Sequence, residues 1–245
     1  MHTVGPIHPD QTVGDIVVAA PGLARIFEQL GIDYCCGGQR PLAEAALEKG
    51  FDPKTVAALL AAAVSARDAA GPDTHDVATM TLSELTAHIE QTHHRYLKQE
   101  LPRLIEMAER VAQKHAERDP RLTALQATVH RLAGEMTDHM QKEESVLFPL
   151  VRAIEQQAGS DRTAADFLIH PIRQMEAEHE SAGLATAQLH ELTDGFRPDA
   201  AACNTHRALL NGLAEFEADL HRHVHKENNV LFPRALALAA RHRPA

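Results

Sequence analysis

Two eleven-residue segments of this chain carry a histidine, a glutamate and a proline at identical spacing. Residues 139–149 read HMQKEESVLFP and residues 223–233 read HVHKENNVLFP, so both have the form H-x-x-x-E-x-x-x-L-F-P. Residues four apart lie on one face of an α-helix, so each histidine points the same way as its glutamate. Imidazole with carboxylate is a ligand set that suits iron and zinc. The repeat therefore predicts a metal site built from two helices.

Each paired motif follows a helical segment that carries a histidine at a matching distance. His94 precedes His139 by 45 residues, and His179 precedes His223 by 44. The sequence thus predicts two tandem helical hairpins, each with one lone histidine and one histidine–glutamate pair. Such a set suits two adjacent metal ions, because two imidazoles can bind each ion and both carboxylates can bridge. It also leaves a coordination position open, which indicates chemistry or small-ligand binding.

Periodicity does not settle which histidine of the first hairpin faces the core, because His93 and His94 are adjacent. His93 lies nearer the middle of the apolar stripe on this helix, and His94 lies about 100° away at its edge. Periodicity alone favours His93. The spacing of the repeat does not separate the two, and Pro102 can rotate the stripe by bending the helix.

Acidic residues stand close to three of these histidines. Glu135 and Asp219 each precede a paired histidine by one helical turn, and Glu178 directly precedes His179. Metal-bound imidazoles usually donate their second N–H to an acceptor outside the metal site. A solvated charged flank accounts for the same pattern, so both interpretations of the three acidic residues stay open.

A second unusual segment is DYCCGG, residues 33–38. The adjacent Cys35 and Cys36, followed by two glycines, fit poorly inside a helix. Glycine permits a backbone conformation that exposes both thiols. One interpretation is a thiol pair that handles redox chemistry or metal. The alternative is two small buried residues at a turn.

The elements that must position these residues are predicted to be helical throughout. Residues 1–69 predict a small domain of short helices, and residues 70–79 contain turn formers without an apolar period, which indicates a linker. Residues 80–245 predict four long amphipathic helices with short connections, which favours an antiparallel four-helix bundle. No alternating strand pattern competes. A helix-interior proline bends or ends its helix, so kinks or ends are predicted at Pro102, Pro149, Pro171 and Pro233.

Composition limits the class of protein. The chain has 245 residues, and its 17 histidines favour a metal site. Its formal net charge of −10, without a basic block, disfavours partnership with nucleic acid or an anionic membrane. The first residues lack a signal-peptide pattern and the longest apolar run is too short to span a bilayer, so a cytoplasmic location is expected. Three cysteines do not indicate a secreted disulfide framework.

The ordered set of motifs closely resembles the di-iron iron–sulfur cluster repair family, also called the repair of iron centres family. The resemblance rests on DYCCGG, THHRYLKQELP, HMQKEESVLFP, MEAEHESAG and HVHKENNVLFP, and it covers residues 10–236. It implies an all-α protein in which a small helical N-terminal domain with the Cys35–Cys36 pair precedes a hemerythrin-like antiparallel four-helix bundle.

The resemblance also implies a non-haem di-iron centre with two iron ions bridged by an oxo group and by carboxylates. An ungapped match to the family from His88 to Pro102 selects His94 rather than His93. Glu143 and Glu227 would be the bridging carboxylates. The ligand set carried over from the family is His94, His139, Glu143, His179, His223 and Glu227.

The function implied by the resemblance is repair of iron–sulfur clusters damaged by nitrosative or oxidative stress, with iron donation as the activity and iron–sulfur proteins as clients. Three alternatives stay open. Nitric oxide can bind at open positions on two neighbouring ions and be reduced to N₂O. A hemerythrin-like carrier or sensor of O₂ or NO is the second, although hemerythrins use five histidines. A structural di-zinc site is disfavoured by the open coordination. Whether the protein forms a homodimer also stays open.

Overall fold

The computed structural model describes residues 7–68, 77–156 and 164–240. Within these ranges the backbone is helical and forms no strand, apart from one isolated bridge between Thr12 and Pro41. The all-α class predicted from the sequence is confirmed. Most of the linker predicted at 70–79 lies outside the described residues. No described helix has the length and apolar character needed to cross a membrane.

The N-terminal unit is built from short helices around its own apolar core. Thr12 caps the first helix by accepting the backbone N–H of Asp15 at 3.1 Å, and Gly31 ends the second with a φ of 64°. Phe27 and Leu60 are fully buried in the core of this unit. The helices are α1 (Val13–Ala19), α2 (Ala24–Leu30, preceded by a 3₁₀ turn at Pro21–Leu23), α3 (Leu42–Glu48) and α4 (Pro53–Asp68).

The C-terminal unit is a bundle of four long helical segments. The first begins with a capping box in which Thr81 and Glu84 exchange hydrogen bonds. The helices are α5 (Leu82–Ile89), α6 (Arg95–His115), α7 (Arg121–Lys142), α8 (Phe148–Gln156), α9 (Ala164–Leu192), α10 (Asn204–Lys226) and α11 (Phe232–Ala240). Neighbouring segments pack through α6 on α7, α7 on α9, and α10 on α6.

Three of the four segments contain a single π-turn where two of these helices join: Glu90–His94, Glu143–Leu147 and Glu227–Leu231. In each, a backbone N–H donates to the carbonyl five residues earlier, as from Phe148 to Glu143. The additional residue rotates the rest of the helix by about 100° relative to an unbroken α-helix. The sequence did not predict these turns.

No helix ends at two of the four prolines where the sequence predicts a kink or an end. Pro149 and Pro233 stand at the second position of α8 and α11, directly after a π-turn. Pro102 and Pro171 lie inside α6 and α9, which continue through them and do not end there. Packing of the surrounding bundle therefore outweighs the loss of one backbone hydrogen bond at each of these two positions.

Two apolar clusters fill the bundle, one at each end. Leu97, Leu101 and Leu220 belong to the first, and Ile89 and Leu231 belong to the second. Along each segment, the chain passes from one cluster to the other through a short polar layer. That layer contains the histidines and glutamates singled out from the sequence.

Candidate metal centre

All six ligands predicted from the sequence lie together in the polar layer, and none is more than 1% exposed. They form two four-residue groups that share both glutamates, and in each group the ligand atoms lie within 4.8 Å of one another. The first group is His94, His223, Glu143 and Glu227, and the second is His139, His179, Glu143 and Glu227.

Glu143 stands between one histidine of each group. Its Oε2 lies 3.3 Å from Nε2 of His94 and 3.3 Å from Nε2 of His139. The two imidazoles belong to different helices, α7 and the segment that ends in the first π-turn. A single carboxylate thus faces both halves of the centre.

Glu227 spans the two groups with one oxygen on each side. Its Oε1 lies 2.9 Å from Nε2 of His223, and its Oε2 lies 3.0 Å from Nε2 of His179. The histidines also approach each other across the layer, with Nε2 atoms of His139 and His179 3.1 Å apart. Four Nε2 atoms and two carboxylates therefore converge on one small volume.

Three of the four carboxylate oxygens lack a hydrogen-bond donor among the described residues. Both oxygens of Glu143 and Oε2 of Glu227 receive no hydrogen bond from the residues that the structure describes, although imidazole nitrogens lie beside them. A buried carboxylate without donors or a counter-charge is costly. Two cations among these groups would satisfy both glutamates and all four Nε2 lone pairs, so the residues fit a two-metal centre.

The local electrostatics keep these carboxylates ionised. Burial and the neighbouring Glu227 raise the pKa of Glu143, but His139 and His94 outweigh them, and the pKa lies below its ordinary value. Burial lowers the pKa of His139, but the carboxylates around it raise that pKa to about 9. Cations and protons therefore compete for the same nitrogens.

The lone histidines of the two hairpins are oriented by acceptors outside the centre. Nδ1 of His94 donates to Glu144 at 2.8 Å, and Nδ1 of His179 donates to Asn228 at 2.9 Å. Such contacts fix the ring and leave Nε2 free for a metal. Sequence reasoning missed both acceptors, although they occupy the same position in the two copies of the repeat, directly after the glutamate.

Glu178 and Glu135 were both considered as outer acceptors. Glu178 accepts Nδ1–H of His139 at 2.9 Å and is itself held by the side-chain amide of Gln174. Glu135 lies on an exposed face of α7 and contacts Arg131 instead. The prediction for Glu135 is wrong because its side chain lies on the solvent side of α7, and the neighbouring helix α9 supplies the acceptor.

The sequence suggests that Asp219 accepts a hydrogen bond from His223. In the structure it does not. Both of its oxygens lie 3.0 Å from Nδ1 of His93, and Arg222 is within 3.4 Å. The neighbouring segment places His93 over α10, where its imidazole contacts the carboxylate of Asp219. The prediction that Asp219 serves His223 is therefore wrong, because His93 occupies both of its oxygens.

His93 and His94 are both buried, but only His94 faces the carboxylates. Nε2 of His93 accepts a hydrogen bond from Nζ of Lys226 at 2.8 Å, and burial lowers the pKa of His93 to about 4. The π-turn explains why the residue that faces the carboxylates is not the one that periodicity favours. His94 follows Ile89 by five residues, and the π-turn at Glu90–His94 inserts the additional residue that brings His94 to the inward position.

The cysteine pair lies in a turn organised by Asp33. Its carboxylate accepts the backbone N–H groups of Cys35, Cys36 and Gly37 at 2.9 to 3.0 Å. Cys35 is buried, Cys36 is exposed, and their sulfurs lie 4.0 Å apart. The hydrogen bond with Cys36 and burial raise the pKa of Cys35 well above its ordinary value. Asp33, Cys35 and Cys36 also offer three ligand atoms within 4.8 Å of one another.

This cysteine turn packs directly on the fourth segment of the bundle. The side-chain amide of Asn229 donates to the carbonyl of Cys35 at 3.0 Å, and Nδ1 of His225 donates to the carbonyl of Tyr34 at 3.2 Å. Gly38 permits the close approach, because a Cβ there would lie 2.3 Å from Oδ1 of Asn229.

A cleft of about 580 Å³ separates the cysteine turn from α9. Its walls include Cys36, Glu176, Glu180 and Asn228. Asn228 also holds the ring of His179, so one wall of the cleft adjoins the polar layer. The structure thus places an exposed thiol near the candidate metal centre.

Comparison with known families gives two matches. A model described as a domain of unknown function, DUF542, matches residues 9–64. The hemerythrin HHE cation binding domain matches residues 85–235, which contain all six candidate ligands.

Comparison with curated proteins gives relatives along nearly the whole chain. The chain is 37% identical to the iron-sulfur cluster repair protein YtfE of Musicola paradisiaca, over 93% of this chain and 96% of the relative. It is 38% identical to the protein of the same name in Pectobacterium carotovorum, over 93% and 97%. The corresponding protein of Yersinia pseudotuberculosis is 36% identical over 93% and 97%.

Proposed function

This chain belongs to the iron–sulfur cluster repair proteins that contain a hemerythrin domain, and we propose that it restores clusters damaged by nitrosative or oxidative stress by donating iron. The observation that carries the proposal is the buried layer of four imidazoles around two carboxylates, three of whose four oxygens lack a hydrogen-bond donor among the described residues. The proposed clients are iron–sulfur proteins of the cytoplasm. In this proposal, the iron that the protein binds is also the iron that it donates.

The proposed cargo is two iron ions, one in each four-residue group, with Glu143 and Glu227 bridging them. Support comes from the way both glutamates face imidazoles of the two groups. Histidine and carboxylate ligands bind iron without the permanence of a thiolate cage, because protonation of a ligand competes with the metal. A store that must deliver its metal needs that property.

Cys36 is proposed as the first thiol to receive a departing ion, with Cys35 as the second. The exposed Cys36 and the wall residue Asn228 line the same cleft, which supports this role. Thiolate is a softer ligand than imidazole or carboxylate, and it is the ligand that iron–sulfur clusters themselves use.

Transfer to an acceptor tests the proposal. The di-iron protein is mixed without oxygen with an apo iron–sulfur protein, cysteine and a sulfide source. The acceptor should regain its cluster in proportion to the iron that the donor loses, as followed by absorbance of the cluster and metal analysis of both proteins. The double variant Cys35→Ser, Cys36→Ser should transfer iron more slowly and keep its metal, whereas Cys203→Ser should behave as the unmodified protein.

Nitric oxide reduction is the rival function, because two metal positions that share both carboxylates would bring two NO molecules together. Each N₂O formed from two NO requires two electrons and two protons and releases one water, so this assay includes an added electron donor. Turnover of many equivalents of NO at constant iron content, with no cluster rebuilt, would replace iron donation by this activity. Reversible binding of O₂ or NO without either reaction would indicate a carrier or sensor.

A further inference from the structure

The two halves of the centre differ in what surrounds their paired histidines. Glu178 and His93 occupy matching positions, since each directly precedes the lone histidine of its hairpin. Glu178 accepts Nδ1–H of His139 at 2.9 Å. His93 instead stacks on His223, with ring centroids 5.2 Å apart and planes 5° apart. The imidazole of His93 therefore lies beside His223, whereas the carboxylate of Glu178 accepts a hydrogen bond from the equivalent His139.

His223 is left with a buried nitrogen that has no acceptor. Its Nδ1 forms no hydrogen bond within the part of the chain that the structure describes, and the residue is fully buried. Asp219, one helical turn earlier, has both oxygens on Nδ1 of His93. When Nε2 of a neutral imidazole binds a metal, the proton is on Nδ1 and needs an acceptor. The other three imidazoles have one, in Glu144, Asn228 and Glu178.

We propose that the two metal positions are unequal, so that the ion between His94 and His223 is bound more weakly and leaves first, while the ion between His139 and His179 is retained. The inference rests on the proposed function for the identity of the metal. Loss of one outer acceptor typically lowers metal affinity by about 10- to 100-fold. A difference in metal affinity of that size would make one ion available for delivery while the other stays bound.

Retention of one ion preserves the core between deliveries. Glu143 and Glu227 belong to both groups, so the ion between His139 and His179 still neutralises both buried carboxylates after the other ion leaves. Removal of both ions would leave two buried carboxylates that only protonated imidazoles compensate, which is destabilising. The asymmetry thus allows release without exposing the protein to that cost.

Metal release to a chelator tests the proposal without reference to cluster repair. The protein loaded with two Fe(II) ions is challenged without oxygen with excess 2,2′-bipyridine, and the coloured complex is followed by stopped-flow absorbance. The proposal expects two phases, each of one ion per chain, with rates about 10- to 100-fold apart. Loss of both ions in a single phase would overturn it.

Removal of individual acceptors assigns the phases to the two positions. Glu144→Ala removes the acceptor of His94 and should accelerate only the fast phase. Glu178→Ala removes the acceptor of His139 and should accelerate only the slow phase. Glu135→Ala, on an exposed face, is the matched control and should leave both rates unchanged. Acceleration of the fast phase by Glu178→Ala would contradict the assignment.

Addition of an acceptor provides the converse test. His93→Glu places beside His223 the residue type that accepts a hydrogen bond from His139 in the other group. Nζ of Lys226, which lies 2.8 Å from the replaced ring, supplies a cation that can pair with the new carboxylate. The rate of the fast phase should decrease towards the rate of the slow phase. Glu178→His makes the reverse change and should accelerate the slow phase. Unchanged rates in both variants would show that the missing acceptor does not set the difference.

The chelator and repair experiments fail independently. Two separate release phases without any cluster rebuilt would leave this asymmetry standing and remove the proposed function. Cluster rebuilding by a protein that releases both ions together would support the proposed function and remove the asymmetry.

Discussion

Glu143 and Glu227 are the residues on which the centre depends most. Each is fully buried, each faces an imidazole of both groups, and most of their oxygens lack a hydrogen-bond donor among the described residues. Burial of a charge is tolerated only when a partner compensates it. Cations in the polar layer would supply that compensation, and protonated imidazoles supply part of it in the apo-protein.

Replacement of either glutamate should lower metal content more than replacement of any outer residue. Glu143→Ala or Glu227→Ala removes a side chain that faces both positions, so we expect each variant to lose about half or more of its iron. Metal analysis of protein purified without oxygen measures the loss. Glu135→Ala serves as the control. Two irons in either glutamate variant would rule out bridging.

The adjacent histidines should respond differently to truncation. His94→Ala removes an imidazole from the polar layer, and we expect the loss of about one iron per chain. His93→Ala removes a ring that contacts Asp219 and Lys226, so its iron content should be nearly unchanged. Metal analysis of the two variants side by side decides the matter. The opposite result would restore the periodicity argument for His93.

Alkylation of the buried Cys35 should require a high pH. The hydrogen bond with Cys36 and burial hold the pKa of Cys35 well above its ordinary value of 9.0, so little thiolate forms at neutral pH. Iodoacetamide should modify the exposed Cys36 first, and Cys35 only as pH rises beyond 9.0. Mass spectrometry of the adducts over a pH series measures both. Equal modification of the two thiols at pH 7 would contradict this.

At the scale of elements, the three π-turns position the ligands. His94 ends the first, and Glu143 and Glu227 begin the other two. A π-turn inside an α-helix is uncommon and is often found at functional sites. Because it inserts one residue, the apolar stripes on either side stay in the core while one candidate ligand of each turn faces the polar layer. The prolines that follow the second and third turns cannot donate a backbone hydrogen bond.

The docking of the cysteine turn on the fourth segment is sensitive to one glycine. A Cβ at Gly38 would lie 2.3 Å from Oδ1 of Asn229, so Gly38→Ala should displace the turn and speed alkylation of Cys35. Gly134→Ala is the matched control, because no atom lies within 4 Å of its added Cβ. That control should leave alkylation unchanged and stabilise α7 by about 0.5–1 kcal/mol.

A double variant distinguishes steric displacement from general destabilisation. Asn229→Ala removes the atoms that the new Cβ would meet, together with the hydrogen bond to Cys35. The effects of Gly38→Ala and Asn229→Ala on alkylation should therefore be less than additive when combined. Full additivity would show that the turn does not depend on this contact.

At the scale of the whole molecule, the two units contribute different chemistry. The bundle holds every candidate metal ligand of the polar layer, whereas the N-terminal unit contributes the exposed thiol and its turn. They meet through His225 and Asn229, which lie beside the ligand positions on the fourth segment. Under the proposed function, metal storage belongs to the bundle and metal transfer to the N-terminal unit.

A fragment that starts at Val77 should fold and keep both irons. Val77 packs into the apolar cluster of the bundle, and all six candidate ligands lie beyond it. Circular dichroism and metal analysis check the two expectations. The fragment should retain its iron but transfer it slowly, because it lacks both thiols of the pair. Loss of iron from a folded fragment would show that Cys35 or Cys36 reaches the centre.

The sequence by itself determined the helical class, the two tandem hairpins and the types of residue in the polar layer. These follow from local patterns, since the helical period and the four-residue spacing of histidine and glutamate act within one segment. The family resemblance extended them to a complete ligand set and selected His94. Domain boundaries and ligand roles stay predictions.

Tertiary structure alone decided which neighbours the ligands have. Asn228 reaches His179 across 49 residues of chain, Glu144 reaches His94 across 50, and Asp219 pairs with His93 across 126. Such contacts depend on how helices pack and on the rotation that each π-turn introduces. Neither property is encoded in the period of a single helix, because both depend on packing between segments that are distant in the chain.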